Sequence, residues 1–210
     1  PSWQFYAVQE GYILGVPVMS QRKVQFSQGG FYYVYNRGTG RQLIFRQERN
    51  YHYLLRLLKQ VAAVTRVTVI AYCLLPRPYH WLVRQDGDTP AGQVPARVCA
   101  SYTQAFNTMD GRSGRLFEGP CQAIVVEHEA DLRQLCRYIH ANPVRHRLVS
   151  RPEDWPYSKY LEWLERRPGN LVDLGWVREM FGPPQQYEAY VAAYLAGLDL
   201  PEDPVQRPDG

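Results

Sequence analysis

Tyr138 and Asn142 stand four residues apart in Tyr138-Ile-His-Ala-Asn-Pro-Val-Arg145, a spacing that puts both side chains on one face of a helix. A phenol and an amide so placed can meet one phosphate together. The phenol, with an ordinary pKa of about 10, needs activation before it can attack as a nucleophile. The pattern leaves a second reading open, in which Tyr138 is a core tyrosine and Asn142 caps the helix before Pro143. Two further clusters hold residues with chemistry to offer: Leu74-Leu-Pro-Arg-Pro-Tyr-His-Trp-Leu-Val83, which contains His80, and the loop beginning at Arg37. The other histidines, His52, His128, His140 and His146, read as structural. His140, two residues past Tyr138, points to a different helix face, where a DNA contact is expected.

The basic residues suggest a partner. Of 24 in the 210-residue chain only Lys23, Lys59 and Lys159 are lysines, and the guanidinium is the group that grips phosphate bidentately and stacks on bases. Net charge is +10 over residues 1–151 and −6 over 152–210, so the first part is the polyanion-binding candidate. An arginine-rich composition also fits a GC-rich coding sequence, and composition alone does not decide. Arg37, Arg41, Arg77, Arg112, Arg115, Arg133, Arg137, Arg145, Arg147 and Arg151 are the candidate contacts, with Tyr32, Tyr33, Tyr35, Tyr79 and Trp81 as stacking surfaces for unpaired bases. Cys73, Cys99, Cys121 and Cys136 form no CxxC pair, so neither a zinc knuckle nor a disulfide framework is indicated. No membrane-spanning stretch and no signal peptide are read, and a soluble, cytoplasmic protein is expected.

These residues need a scaffold. Phe31–Tyr35 is β-rich and ends in Asn36-Arg-Gly-Thr-Gly40, a strand running into a basic loop. Residues 50–63 carry Tyr53, Leu54, Leu57, Leu58 and Val61 at helical steps. Residues 64–75 and 79–84 read as an antiparallel hairpin broken at Pro76-Arg77-Pro78. Val94–Met109 is a second helix, Leu116-Phe117 and Gln122–Glu127 a strand pair or bent strand, and 129–141 a third helix stopping at Asn142-Pro143. The order βαββαβ is the ferredoxin-like or RRM-like α+β plan, with helices on one face of an antiparallel sheet and the other face free for a ligand. Helices after Asp154, including 185–198, wrap the core.

The motif order resembles that of the REP-associated tyrosine transposases, within the HUH single-tyrosine transposase superfamily. Tyr33-Val-Tyr-Asn-Arg-Gly38 followed by Ile44-Phe45 is similar to that family's first strand, YHVxxRGxxxxxIF. Leu75–Leu82 corresponds to its metal strand, Gly114-Arg-Leu-Phe-Glu118 to its G-x-[LI]-[WF]-Q turn, Tyr138–Val149 to YIHxNPVRAGLV, and Asp154-Trp-Pro-Tyr-Ser158 to its WPYSS block. The resemblance spans roughly residues 24–196. It implies binding of a DNA hairpin or single-stranded DNA, with Tyr138 as nucleophile leaving a 5′-phosphotyrosine and a free 3′-OH, and Mg2+ or Mn2+ held by His80 and Asn142. Arg37, Arg41, Arg77, Arg115, Arg145 and His140 are the nucleic-acid contacts expected.

The chain departs from the family at the metal strand. His-x-His puts two imidazoles on one side of a strand, but here the first histidine is Pro78 and the usual Asn is Arg77. A weakened metal site is expected, and with it a second possibility: a domesticated hairpin binder that no longer cuts. Generic RRM-like RNA binding is a third reading, disfavoured because the central strands lack the RNP1 pattern. The expected organisation is an extension over 1–23, a transposase-like domain over 24–164, packed helices over 165–198 and a loose acidic tail over 199–210, in a monomer or homodimer with no membrane association.

Overall fold

The computed structural model describes residues 12–13, 16–17, 24–169, 171 and 173–197. The tail read over 199–210 lies outside the described residues, as does most of the 1–23 extension, of which Tyr12–Ile13 and Val16–Pro17 form a two-residue antiparallel ladder.

Four strands make the central sheet: β1 (Phe31–Arg37), β2 (Val67–Leu74), β3 (Pro78–Gln85) and β4 (Gln122–Val126). Their spatial order is β2-β3-β1-β4, antiparallel throughout, which is the ferredoxin-like arrangement inferred from the element order. Three long helices accompany them: α1 (Glu48–Thr65), α2 (Gln93–Met109) and α3 (Glu129–Arg145). Tyr51, Leu54, Leu58 and Ala62 of α1 and Val94, Val98, Tyr102 and Phe106 of α2 are buried at three- and four-residue steps, the stripe that drives a helix onto a sheet. They pack on Tyr32, Val34, Tyr79, Trp81 and Val83. Asn50 starts α1 by accepting from the backbone N–H of Arg46 and Gln47 at 3.0 and 2.9 Å.

Alternation along the strands sends Tyr33, Leu82 and Ile70 to the opposite face. That face is not left to a ligand: α3 covers it with Leu132, Leu135, Cys136 and Ile139, and behind α3 come α4 (Tyr160–Trp163), α5 (Leu174–Phe181) and α6 (Pro184–Ala196). Edge strand β2 is closed by the segment after the third helix. Tyr157 O accepts from Leu74 N at 2.9 Å, Lys159 N donates to Tyr72 O at 3.1 Å, and Trp163 Nε1 donates to Ile70 O at 3.2 Å beside a bulge at Val69/Ala71, so the unpaired groups of an edge strand find partners.

Two local expectations are corrected. Leu116-Phe117 is not a strand, because Phe117 makes only an isolated bridge to Gly38. The third helix does not stop at Asn142-Pro143 but runs through Pro143 to Arg145. A proline in the last turn removes one backbone bond of few remaining, and the consequence is that Tyr138, Asn142 and Arg145 share one continuous helix. Among the described residues no helix is long and apolar enough to cross a membrane.

Candidate functional site

The register of β1 on β3 builds the site. Tyr35 lies opposite His80 and Tyr33 opposite Leu82, so Tyr33 is the diagonal neighbour of His80 on the same face. Its phenol oxygen sits 2.6 Å from His80 Nδ1. From α3 above, the Tyr138 ring meets His80 edge-on, centroids 5.9 Å apart at 82°. Arg145 lies over the Tyr138 ring at 4.5 Å and donates to Asn142 Oδ1 at 3.2 Å. Tyr33, His80, Tyr138, Asn142 and Arg145 thus form one connected cluster, drawing together residues 112 positions apart in the chain.

The cluster is buried and electropositive. His80 is 4% exposed, Tyr138 2% and Asn142 fully buried. Burial, with His146 and Arg145 close by, pushes the His80 pKa down to about 3, so the ring is neutral at pH 7. Burial and the neighbouring Tyr138 phenol hold Tyr33 well above the usual phenol range. His80 Nε2 and Asn142 Nδ2 have no hydrogen-bond partner among the described residues, and an unsatisfied buried polar atom costs about 1–3 kcal/mol.

The divalent ion implied by the resemblance does not fit this donor set. His80 offers one nitrogen, Pro78 offers none, and the Asn142 oxygen already accepts from Arg145. Among the described residues no three His, Cys, Asp or Glu side chains gather. The charge that is present, the Arg145 guanidinium, repels a dication, and Mg2+ or Mn2+ prefers oxygen anions.

A second group of predicted residues assembles at one end of the sheet. Arg37 closes β1, and its neighbour Gly38 donates to Arg77 O at 3.1 Å in the β2–β3 turn. Gly38 is required here, since a Cβ would collide with the Gln42 carbonyl oxygen. Thr39 N donates to Leu116 O at 3.0 Å, and Gln42 Nε2 to the same oxygen at 2.8 Å. Three loops are thereby tied together, and Arg37, Arg41, Arg77 and Arg115 project from them, all exposed. Arg37 is ion-paired with Glu118. Because Tyr33, Tyr35 and Arg37 alternate onto one face, Tyr35, stacked on Tyr33 at 5.3 Å, links this basic end to the Tyr138 cluster.

Other predicted contacts are buried or engaged within the protein. His140 is fully buried, its Nδ1 2.6 Å from the Tyr187 hydroxyl and its ring walled by Tyr160 and Trp163. It cannot reach DNA, because α6 covers the helix face that the sequence reading left open. Arg133 pairs with Glu129 and lies over Phe181, Arg137 lies over Tyr190 and Tyr194, and Arg151 pairs with Asp154. Sequence reasoning missed Tyr33 as the partner of His80. The signal was strand parity, which places a tyrosine two residues before the one opposite His80 on the same face.

No protein-family model matches the chain. A Haemophilus influenzae protein provisionally named REP-associated tyrosine transposase is 24% identical over 160 residues, covering 68% of this chain and 86% of that protein. A solved structure of a REP-associated tyrosine transposase bound to a REP hairpin superposes with a TM-score of 0.61 at 20% identity, over 74% of this chain and 94% of the other, which establishes a shared fold. Collinear motifs and the Haemophilus relative make the chain similar to the REP-associated tyrosine transposases, and the solved structure shows that it shares their fold.

Proposed function

We propose that this chain is a transposase-like protein that binds hairpin-bearing or single-stranded DNA, with the loops carrying Arg37, Arg41, Arg77 and Arg115 as its phosphate grip. The observation that carries the reading is the convergence of those exposed arginines on one tied loop cluster, next to the Tyr35–Tyr33 stack. Guanidinium groups beside aromatic rings suit a bent or unpaired strand, where phosphates and base faces are both within reach. The relative solved with a REP hairpin supports the choice of DNA shape.

Strand cleavage by Tyr138 is the second reading, favoured by its contact with His80. A tyrosine nucleophile would leave a 5′-phosphotyrosine and a free 3′-OH. The donor set around His80 and Asn142 supports the binder over the metal-assisted nuclease, since it lacks the ligands such a step asks for.

The test is fluorescence anisotropy with a hairpin bearing a single-stranded extension against a blunt duplex of equal length, across a salt series. The hairpin is expected to bind tighter. With phosphates neutralised by the four arginines, log Kd against log salt should have a slope of about 3. Equal affinity for the duplex, or no salt dependence, would overturn the reading.

A further inference from the structure

The segment Asp154-Trp-Pro-Tyr-Ser158 closes the β2 edge with its backbone, but its rings face a different task. Three rings lie face to face: Phe45 on Tyr51, with centroids 4.2 Å apart at 16°, and Tyr51 on Tyr157, at 3.8 Å and 9°. Trp155 stands edge-on to both tyrosines, at 6.1 and 5.5 Å, and His52 edge-on to Tyr157 at 6.0 Å. The stack starts in the core, where Phe45 and Tyr51 are buried, and ends on Tyr157, which is half-buried. Among the described residues no second ring is stacked on Tyr157.

The backbone fixes where this stack ends. Leu74 N donates to Tyr157 O and Trp155 Nε1 to Leu74 O, both at 2.9 Å, while Ile44 N and Phe45 N donate to Pro76 O at 2.8 and 3.2 Å. Both ends of the stack are therefore tied to the β2–β3 turn that carries Arg77, and Gly38 ties the same turn to the loop of Arg37 and Arg41. Tyr157 thus lies at the end of the sheet that bears the outer grip of Arg37, Arg41, Arg77 and Arg115. Charge decides which part of a strand suits it. Burial and the Glu48 carboxylate push the Tyr157 phenol up, and a carboxylate so close repels a phosphate but not an uncharged base, whose π-face matches the ring.

We propose that Tyr157 is a stacking platform for one unpaired base of the bound DNA, in the stretch of strand whose phosphates lie on the outer grip. The proposal rests on the DNA-binding reading and deepens it, because bases already stacked within a duplex have no free face to offer. Tyr51 and Trp155 are positioning residues that hold the Tyr157 ring flat before the strand arrives, which reduces the ordering cost of binding.

The experiment is photocrosslinking of the full chain to a hairpin carrying 5-iodouracil at one unpaired position at a time, a base that couples to an aromatic ring stacked on it, with adducts located by mass spectrometry. One position is expected to give an adduct at Tyr157. In anisotropy, Tyr157→Leu should weaken hairpin binding about tenfold and leave the salt slope unchanged, since no phosphate contact is lost, while Tyr157→Trp should retain the affinity. The wild-type crosslink decides the matter even if Tyr157→Leu fails to fold. Adducts at other rings only, no adduct in a complex that anisotropy shows to have formed, or a folded Tyr157→Leu with unchanged affinity would overturn the proposal. A hairpin that does not bind, or binds no tighter than blunt duplex, overturns the DNA reading as well, and anisotropy of the unirradiated sample tells the two failures apart.

Discussion

His80 and His140 make the same contact in different company. Each is buried, each has Nδ1 2.6 Å from a tyrosine hydroxyl, and each has an Nε2 without a partner among the described residues. Around His140 stand Tyr160, Trp163 and Tyr187, an aromatic box between α3, α4 and α6. Around His80 stand Tyr138, His146 and Arg145, with Tyr35 leading out to the basic loops. A buried histidine–tyrosine pair is therefore not itself a functional signal. Its neighbours decide whether the spare nitrogen faces a wall of rings or a ligand.

Acid should expose both pairs at once and gives the largest effect. Burial holds both imidazoles down to about 3, with His146 and Arg145 adding to the shift at His80 and Lys159 at His140, against about 6.5 unfolded. The depressed folded pKa means that the unfolded chain binds the protons, so stability is full above pH 6.5 and is lost as pH falls from there toward 3. Each ring should add up to about 1.4 kcal/mol per pH unit to the slope of unfolding free energy. Burial also holds His146 down, to about 4, so three rings share the slope; urea melts between pH 7 and 4 measure it, and His140→Phe should remove about a third. A slope unchanged by that substitution would show that the rings are not neutral partners in the fold.

His140→Ala should next cost roughly 2–4 kcal/mol, combining a cavity in the aromatic box with an unpaired Tyr187 hydroxyl, while the folded fraction keeps its hairpin affinity. Denaturant melts beside anisotropy would check both halves. His80→Ala should reverse the pattern, losing affinity out of proportion to stability.

At the outer grip the expected effects are smaller. Arg77→Ala should weaken hairpin binding roughly five- to tenfold and lower the salt slope by about 1, with stability within about 0.5 kcal/mol because the side chain is exposed. Arg37→Ala should behave alike, since its ion pair with Glu118 is exposed and contributes little. Pro78→His should do least. It restores an imidazole on the His80 face opposite Arg37, yet Mn2+ affinity by calorimetry should rise less than tenfold while Arg145 stays, and more once Arg145→Ala is added.

Much of this was legible because it is written locally. The run Phe31–Tyr35, the stripe of α1 and the proline break of the β2–β3 hairpin each announce their element within a dozen residues, and the motif order pointed to Tyr138 and His80. What stayed hidden depends on distant packing. His140 looked like a surface residue because nothing near it in sequence names Tyr187, 47 positions on, as its partner. Helix α5 was overlooked because eight residues hold only two buried side chains, Val177 and Phe181, although Asp173 marks its start by accepting from Trp176 N at 3.0 Å. What argues against the metal reading is Arg145, whose position over Tyr138 follows from α3 running through Pro143, a residue that in isolation argues for a stop.

The most direct test compares the two histidines in one tube. A 15N-histidine-labelled chain is titrated with a DNA hairpin bearing a single-stranded extension, and the ring nitrogens are followed through saturation. His80 Nε2 should move with the binding isotherm while His140 stays within its linewidth. If His140 moves equally, or if the hairpin binds and His80 does not respond, the distinction between a ligand-facing and a packing histidine is wrong.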